Sequence, residues 1–228
     1  MSTRKDFLIA SSVVASVTSA VLAGSGEVVA QSSGIPDFQF DQGRYNQLIS
    51  RAAKHRNMFA AESINGGTVL LAINNTLHAY NTNLNTPDSE VLPVAVLYHG
   101  AAIALAFNDA AWTQLLLPSL PRISPMLRAD IQTLRLSSGN PVLHRNPYGG
   151  ADQSVEALVS RGTLFFVCNN ALVGVSLSLA QALNRSPGDV YAQLSSSLVD
   201  GASLVPAGVW AIHALQEARF TYLQTSLQ

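Results

Sequence analysis

Residues 162–172 read GTLFFVCNNAL. A glycine opens an unbroken apolar run, TLFFV at 163–167; a cysteine, two asparagines and a helical pattern follow. A short run without alternation suits a strand buried on both faces, as in a parallel sheet covered by helices. Two other stretches share this character: 68–73 (TVLLAI), entered through Gly66 and Gly67, and 91–98 (VLPVAVLY). Leu204-Val205 and 220–223 (FTYL) are weaker strand candidates.

Helical patterns lie around and between these runs. In 43–61 the apolar positions Tyr45, Leu48, Ile49, Ala52 and Ala53 have helix spacing. Residues 101–117 are rich in Ala and Leu, and 171–183 places Leu172, Val175, Leu179 and Leu183 on one stripe. Residues 190–198 and 208–218 continue helically after Pro187-Gly188 and Pro206. Strands alternating with helices predict an α/β domain: three α/β/α layers around a mainly parallel sheet of about five strands, with right-handed crossovers. The domain is expected over 43–228, preceded by a linker at 31–42. The stretch 118–150 carries five prolines and interrupts the alternation, so it reads as an excursion with a short helix near 126–136.

Residues 1–30 have the layout of an export signal: Arg4 and Lys5, a weakly apolar stretch rich in Ser, Ala and Val, then small residues with cleavage sites after Ala23 or Ala30. Thr3-Arg4-Lys5-Asp6-Phe7-Leu8 resembles a twin-arginine motif with Lys at the second position. The stretch is short and diluted for a spanning helix, so no membrane association is expected beyond the signal itself, and a periplasmic or otherwise exported location follows.

Among 228 residues, 13 Lys and Arg face 14 Asp and Glu, leaving a net charge of −1. With no basic excess to neutralise a phosphate backbone, nucleic acid is not an expected partner. Charged residues are 12% of the chain, about half the ~25% usual for a soluble domain. So little charge argues that part of the surface is covered, most simply by further copies of the chain. The lone cysteine, Cys168, precludes an intramolecular disulfide and a Cys-rich metal site. No G-x-G-x-x-G follows a strand, and there is no P-loop and no G-x-S-x-G elbow. No cofactor and no metal are therefore expected.

Ligands of parallel α/β sheets bind at the carboxyl ends of the strands. The expected strand ends bring Asn74, His99 and Gly100, Cys168 with Asn169 and Asn170, and Pro206 with Gly208 to one edge. Cys168 follows a buried strand and precedes a helix, whose partial positive charge favours the nucleophilic thiolate. The alternative is a cysteine packed like any small hydrophobe. His99 is placed to transfer a proton or to donate to an anion. His144 and Arg145 in the excursion are candidates for an anionic ligand, whereas His55, His78 and His213 read as helix residues without a role in the site.

Taken together, the His99-Gly100 pair, the F-x-V-C-N-N-A-L segment at 165–172, V-P-A-G-V at 205–209, the closing FTYL and the Asn146-Pro147-Tyr148 loop resemble the DsrE/DsrF-like family, most closely its exported members. The resemblance spans roughly residues 43–224. It implies a small α/β/α domain assembled into homotrimers or hexamers. It also implies that Cys168 matches the cysteine with which the family's relay members accept and pass on a persulfide sulfur. Sulfur handling through Cys168 and His99, with a donor or acceptor protein or a small sulfur compound as partner, is the function expected on that basis. A non-catalytic oligomer that binds a small ligand with Asn74, Gly100, Asn169, Asn170, Pro206 and Gly208, or that serves as an accessory subunit of the cell envelope, is the alternative.

Overall fold

The computed structural model describes residues 34–134, 141–146 and 150–225, so the expected export signal lies outside the described residues. Five strands form one sheet: β1 (His55–Ala61), β2 (Val91–Leu97), β3 (Leu164–Cys168), β4 (Ala202–Val205) and β5 (Thr221–Gln224). Their order is β4-β3-β2-β1-β5, and every neighbouring pair is parallel. The helices are α1 (Gln42–Ile49), α2 (Thr68–Leu84), α3 (Pro125–Gln132), α4 (Val155–Ser160), α5 (Asn169–Leu183), α6 (Pro187–Ser196) and α7 (Gly208–Glu217).

Side-chain alternation along the strands builds two cores. Phe59, Ala95, Leu97, Phe165 and Val167 face one side and pack with α2, α5 and α6. Met58, Leu92, Val94, Val96, Leu164 and Phe166 face the other, beneath Tyr45 of α1 and Ala211 and Leu215 of α7. The topology explains which helix lies where. From β1 to β4 the chain advances across the sheet in one direction, and right-handed crossovers put the connecting segments on one face. The step from β4 to β5 runs the opposite way across the whole sheet, so α7 takes the other face.

On the α7 face an aromatic cluster joins Phe40, Tyr45, Phe166 and Trp210, with ring centroids 5.1 to 5.7 Å apart along the chain of contacts. Burial, with Glu217 adding to it, pushes the Tyr45 hydroxyl up to about 12. Arg56 crosses the same side: its guanidinium donates to the carbonyls of Ile49, Arg51 and Ala218, near the carboxyl ends of α1 and α7, and lies over the Phe220 ring.

Four sequence expectations change. The helix expected over 43–61 stops at Ile49, and His55 opens the strand β1 rather than sitting on a helix. The apolar run 68–73, expected as a strand, is the first turn and a half of α2. Gly66 and Gly67, both at positive φ, turn the chain into it, and Val69, Leu70, Ile73 and Leu77 then repeat at helical spacing. Residues 101–117 form no single helix. A 3-10 helix, Gly100–Ala106, is followed by the helical stretch 109–119, which is π-helical over Trp112–Leu116. The Pro-rich stretch joins the core instead of standing off it: Ile123, Ile131, Leu134 and Val142 are all buried on the α2 side.

Asn74 is consequently not at a strand end. It lies within α2 and accepts from Arg161 Nη1 at 2.9 Å. Arg161 also donates from Nε and Nη2 to the two Asp88 carboxylate oxygens (2.8 and 3.1 Å) and from Nη2 to Asn81 (2.8 Å). The guanidinium thus ties the residue after α4 to α2 and to the approach to β2, and its hydrogen bonds hold the Asp88 carboxyl below the usual carboxylate range. Because the folded pKa of Asp88 is lowered, the link contributes stability above the ordinary Asp pKa of ~3.9. That contribution fades as the pH falls through the depressed value. Arg161→Met is expected to cost about 2 kcal/mol at pH 7, and the cost should shrink in acid; urea titrations at pH 7 and pH 3 check both statements.

Candidate functional site

A cleft of about 470 Å³ opens at the carboxyl edge of the sheet, between the ends of β2 and β3 and the amino ends of α5 and α7. Tyr98, His99 and Gly100 line one side, Cys168 and Asn170 the floor, and Ala207, Gly208 and Val209 another side. Five of the residues expected at this edge therefore come together: His99, Gly100, Cys168, Asn170 and Gly208.

Each is placed by its local backbone. Tyr98 donates its backbone N–H to the carbonyl of Ala61 at 3.1 Å, extending the β1–β2 ladder to the edge of the cleft. Gly100 has φ +45, so the chain can turn from the strand into the 3-10 helix that follows. Cys168 is the last residue of β3 and the N-cap of α5, and its Sγ accepts the Ala171 backbone N–H at 3.4 Å. Only 4% of Cys168 is exposed, although it is among the residues that line the cleft. The positive end of a 15-residue helix faces that sulfur.

Gly208 is fixed by the closeness of its neighbours. A Cβ built there would overlap the Cα and Cβ of Tyr98 and lie 3.3 Å from Cys168 Cβ. The first turn of α7 thus rests directly on the ends of β2 and β3. Gly208→Ala forces the two apart, with an expected loss of about 3 kcal/mol; thermal unfolding of that single variant measures it.

The remaining expected residues have other duties. Asn169 is buried, and its Oδ1 accepts the Tyr191 hydroxyl at 2.8 Å, joining α5 to α6. Pro206 leads into α7 without lining the cleft. His213 is exposed on α7. His144 is bound to the chain's own carboxylates: Nδ1 lies 2.7 Å from Glu156 Oε2 and Nε2 3.1 Å from Asp109 Oδ2.

Sequence reasoning passed over two parts of the site. Tyr98 donates to Glu62 at 3.4 Å and accepts from Gln224 at 3.2 Å, so the ends of β1, β2 and β5 meet in one polar group beside the cleft. Burial raises the Tyr98 hydroxyl above its ordinary value, an effect the Glu62 carboxylate reinforces, and the phenol remains a proton donor at neutral pH. Ser124 and Leu127 at the start of α3 line the cleft as well, together with Ala171, Gly174, Val175 and Ser178 of α5. An alternating strand pattern around 55–61 was the one signal that could have found Glu62, and its polar first half hides it. Among the described residues, no group of three His, Cys, Asp or Glu side chains is arranged to hold a metal ion.

No protein-family model matches the chain, and no curated protein matches it. Among solved structures it is similar to a protein of unknown function, MTH1491 from Methanobacterium thermoautotrophicum, at 16% identity over 75% of this chain and 98% of that one, with a TM-score of 0.38.

Both carboxylates facing His144 donate negative charge to its surroundings, and the hydrogen bonds to Glu156 and then Asp109 raise its pKa. A raised folded pKa means the link contributes below the ordinary histidine value of ~6.5 and disappears as the pH rises through the raised one. An NMR titration of the His144 ring should place its midpoint above that ordinary value and move it back down in Glu156→Gln.

Proposed function

We propose that this chain is a DsrE/DsrF-like sulfur-handling protein that carries a persulfide on Cys168. The observation that supports this reading most is the sulfur itself: it ends a buried strand, accepts an amide at the start of α5, and opens onto a cleft shared with His99 and Gly208. In the proposed step, the Cys168 thiolate attacks the outer sulfur of a donor persulfide, R–S–SH. The donor S–S bond breaks, R–S⁻ leaves with its electron pair, and Cys168–S–SH remains. No external oxidant is needed, because the sulfane sulfur arrives already oxidised. The terminal sulfur, once ionised, faces the amino end of α5, where negative charge is stabilised. His99, at the exposed rim of the cleft, is positioned to give a proton to the departing thiolate.

The same reading includes an exported protein, carried out by the signal at 1–30, that works as a homotrimer or hexamer with a donor or acceptor protein. The low charge content and the family resemblance support those parts. Among the described residues no helix is long and apolar enough to cross a membrane.

A second reading has one observation in its favour. Cys168 is nearly buried and already engaged by an amide, as a packed capping residue would be. On that reading the cleft binds a small ligand without covalent chemistry.

Intact-mass analysis separates the two. After incubation with a low-molecular-weight persulfide, the full chain should gain ~32 Da. The gain should be absent in Cys168→Ser and reversed by a reducing thiol. A wild-type chain that acquires no such adduct leaves the binding reading in place.

A further inference from the structure

The helix α3 bears on the cleft at one end and is fastened to the sheet at the other. Its amino end supplies Ser124 and Leu127 to the lining of the cleft that Cys168 also lines. At its carboxyl end the Asp130 carboxylate accepts the backbone N–H of Ile64 with both oxygens, at 3.0 Å each, and that of Asn65 at 3.2 Å. Thr133 Oγ1 accepts the N–H of Gly66 at 2.9 Å and donates to the Asp130 carbonyl at 2.6 Å. Three successive amides of the turn that follows β1 are thus held by two side chains more than sixty residues away.

The arm that carries these groups is internally stiff. Ser124 caps α3 by accepting the Leu127 N–H at 3.3 Å, and Arg128 Nη2 donates to the carbonyls of Pro121 and Ile123 at 3.1 Å each. Ile123 and Ile131 anchor the arm in the core, while Met126 at its outer side is 81% exposed. The anchors Ile123 and Ile131 and the fastening at Asp130 and Thr133 together fix where Leu127 stands in the lining of the cleft.

We infer that Asp130 and Thr133 are the latch of the thiol cleft: by holding α3 to the β1–α2 turn they set how large a molecule reaches Cys168. The inference rests on the reading of Cys168 as the working group, and it makes both latch residues positioning residues, since neither touches the cleft. It assigns α3 a role as the cleft's gate, past which a bulky donor such as another protein's persulfide reaches Cys168 only when the latch is open, whereas a small persulfide enters with it closed.

The test compares alkylation of Cys168 in the folded full chain by iodoacetamide and by fluorescein maleimide. In the wild type the small reagent should be favoured. In Asp130→Asn the rate ratio of bulky to small reagent should rise at least tenfold, the factor expected when charge-assisted hydrogen bonds to amides are lost. Thr133→Val should give a smaller rise, and Thr133→Ser should restore the wild-type ratio, which a general loss of stability would not do. Amide exchange at Ile64 and Asn65 should quicken in Asp130→Asn. If that variant fails to fold, Leu127→Ala, which trims the wall and leaves the latch intact, should raise the same ratio. A ratio unmoved by Asp130→Asn although those amides exchange faster overturns the inference, as does a wild-type Cys168 that reacts with neither reagent. The ratio reads access alone: a chain that gains no persulfide yet shows the shifted ratio keeps the latch and loses sulfur transfer, and the opposite pair of results does the reverse.

Discussion

Two-sided burial of β2 is the constraint from which the rest of the structure follows. All seven residues, Val91 to Leu97, are buried, with neighbours β1 and β3 on either side and helices above and below. A central strand with no polar side chain can exist only where both faces are covered and its backbone polar groups find partners on the neighbouring strands; β1 pairs along all seven residues and β3 along Val94 to Leu97, and Pro93 has no N–H to satisfy. Both requirements are met by the same chain path. Successive right-handed crossovers cover one face as the chain moves outward from β1 to β4, and the reversal to β5 brings α7 over the other. The cleft is a by-product of that reversal. Where α7 begins, its first turn must come down onto the ends of β2 and β3, and only a residue without a Cβ fits against Tyr98. The thiol, the imidazole of His99 and the start of two helices are therefore gathered by topology.

A chain this poor in charge uses a good share of its charged groups internally. Arg161 with Asp88 joins α2 to the approach to β2. Arg56 gathers carbonyls from α1 and the end of α7. Asp130 fastens α3 to the turn after β1, and His144 bridges Asp109 and Glu156. Most of these links join segments far apart in sequence, and all but the His144 bridge are partly sheltered from water, where a charge-assisted hydrogen bond counts for more than at a free surface. They concentrate around the irregular connection between β2 and β3, which lacks the single long helix that would otherwise hold such a crossover in place. Polar links do there what regular packing does in the rest of the domain.

Much of the architecture was legible in the sequence because strands buried on both faces leave an unmistakable record. The runs at 91–98 and 163–167 are β2 and β3, and the weaker signals at 204–205 and 220–223 are β4 and β5. The failure at β1 and α2 has a specific physical cause. Five apolar residues in a row after Thr68 fit a buried strand or the first turns of a buried helix equally well, and the glycine pair before them reads as a turn in either case. The segment that does form β1, HRNMFAA, is polar at its start and rich in Ala at its end. It is a strand because β2 and β5 pair with it from both sides, which no local pattern records. That exchange moved Asn74 away from the site and concealed Glu62. His99, Gly100, Cys168, Asn170 and Gly208 still meet in one cleft because they follow β2, β3 and β4, whose strands the sequence pattern located.

The geometry around Cys168 also explains why its placement alone does not separate a capping residue from a nucleophile. Accepting an amide at a helix start satisfies the helix, and the same contact surrounds the sulfur with partial positive charge. Structural and chemical roles ask for the same backbone. What separates them is the space in front of the sulfur, because a cap needs none and a nucleophile needs a path for the incoming atom and for the group that leaves. In this protein the cleft that Cys168 lines is bounded in part by α3, an element that takes no part in the sheet and is secured by Ile123 and Ile131 in the core and by Asp130 and Thr133 on one turn. On the proposed reading, access to Cys168 depends on the lining that α3 contributes as much as its charge environment depends on the helix that follows it.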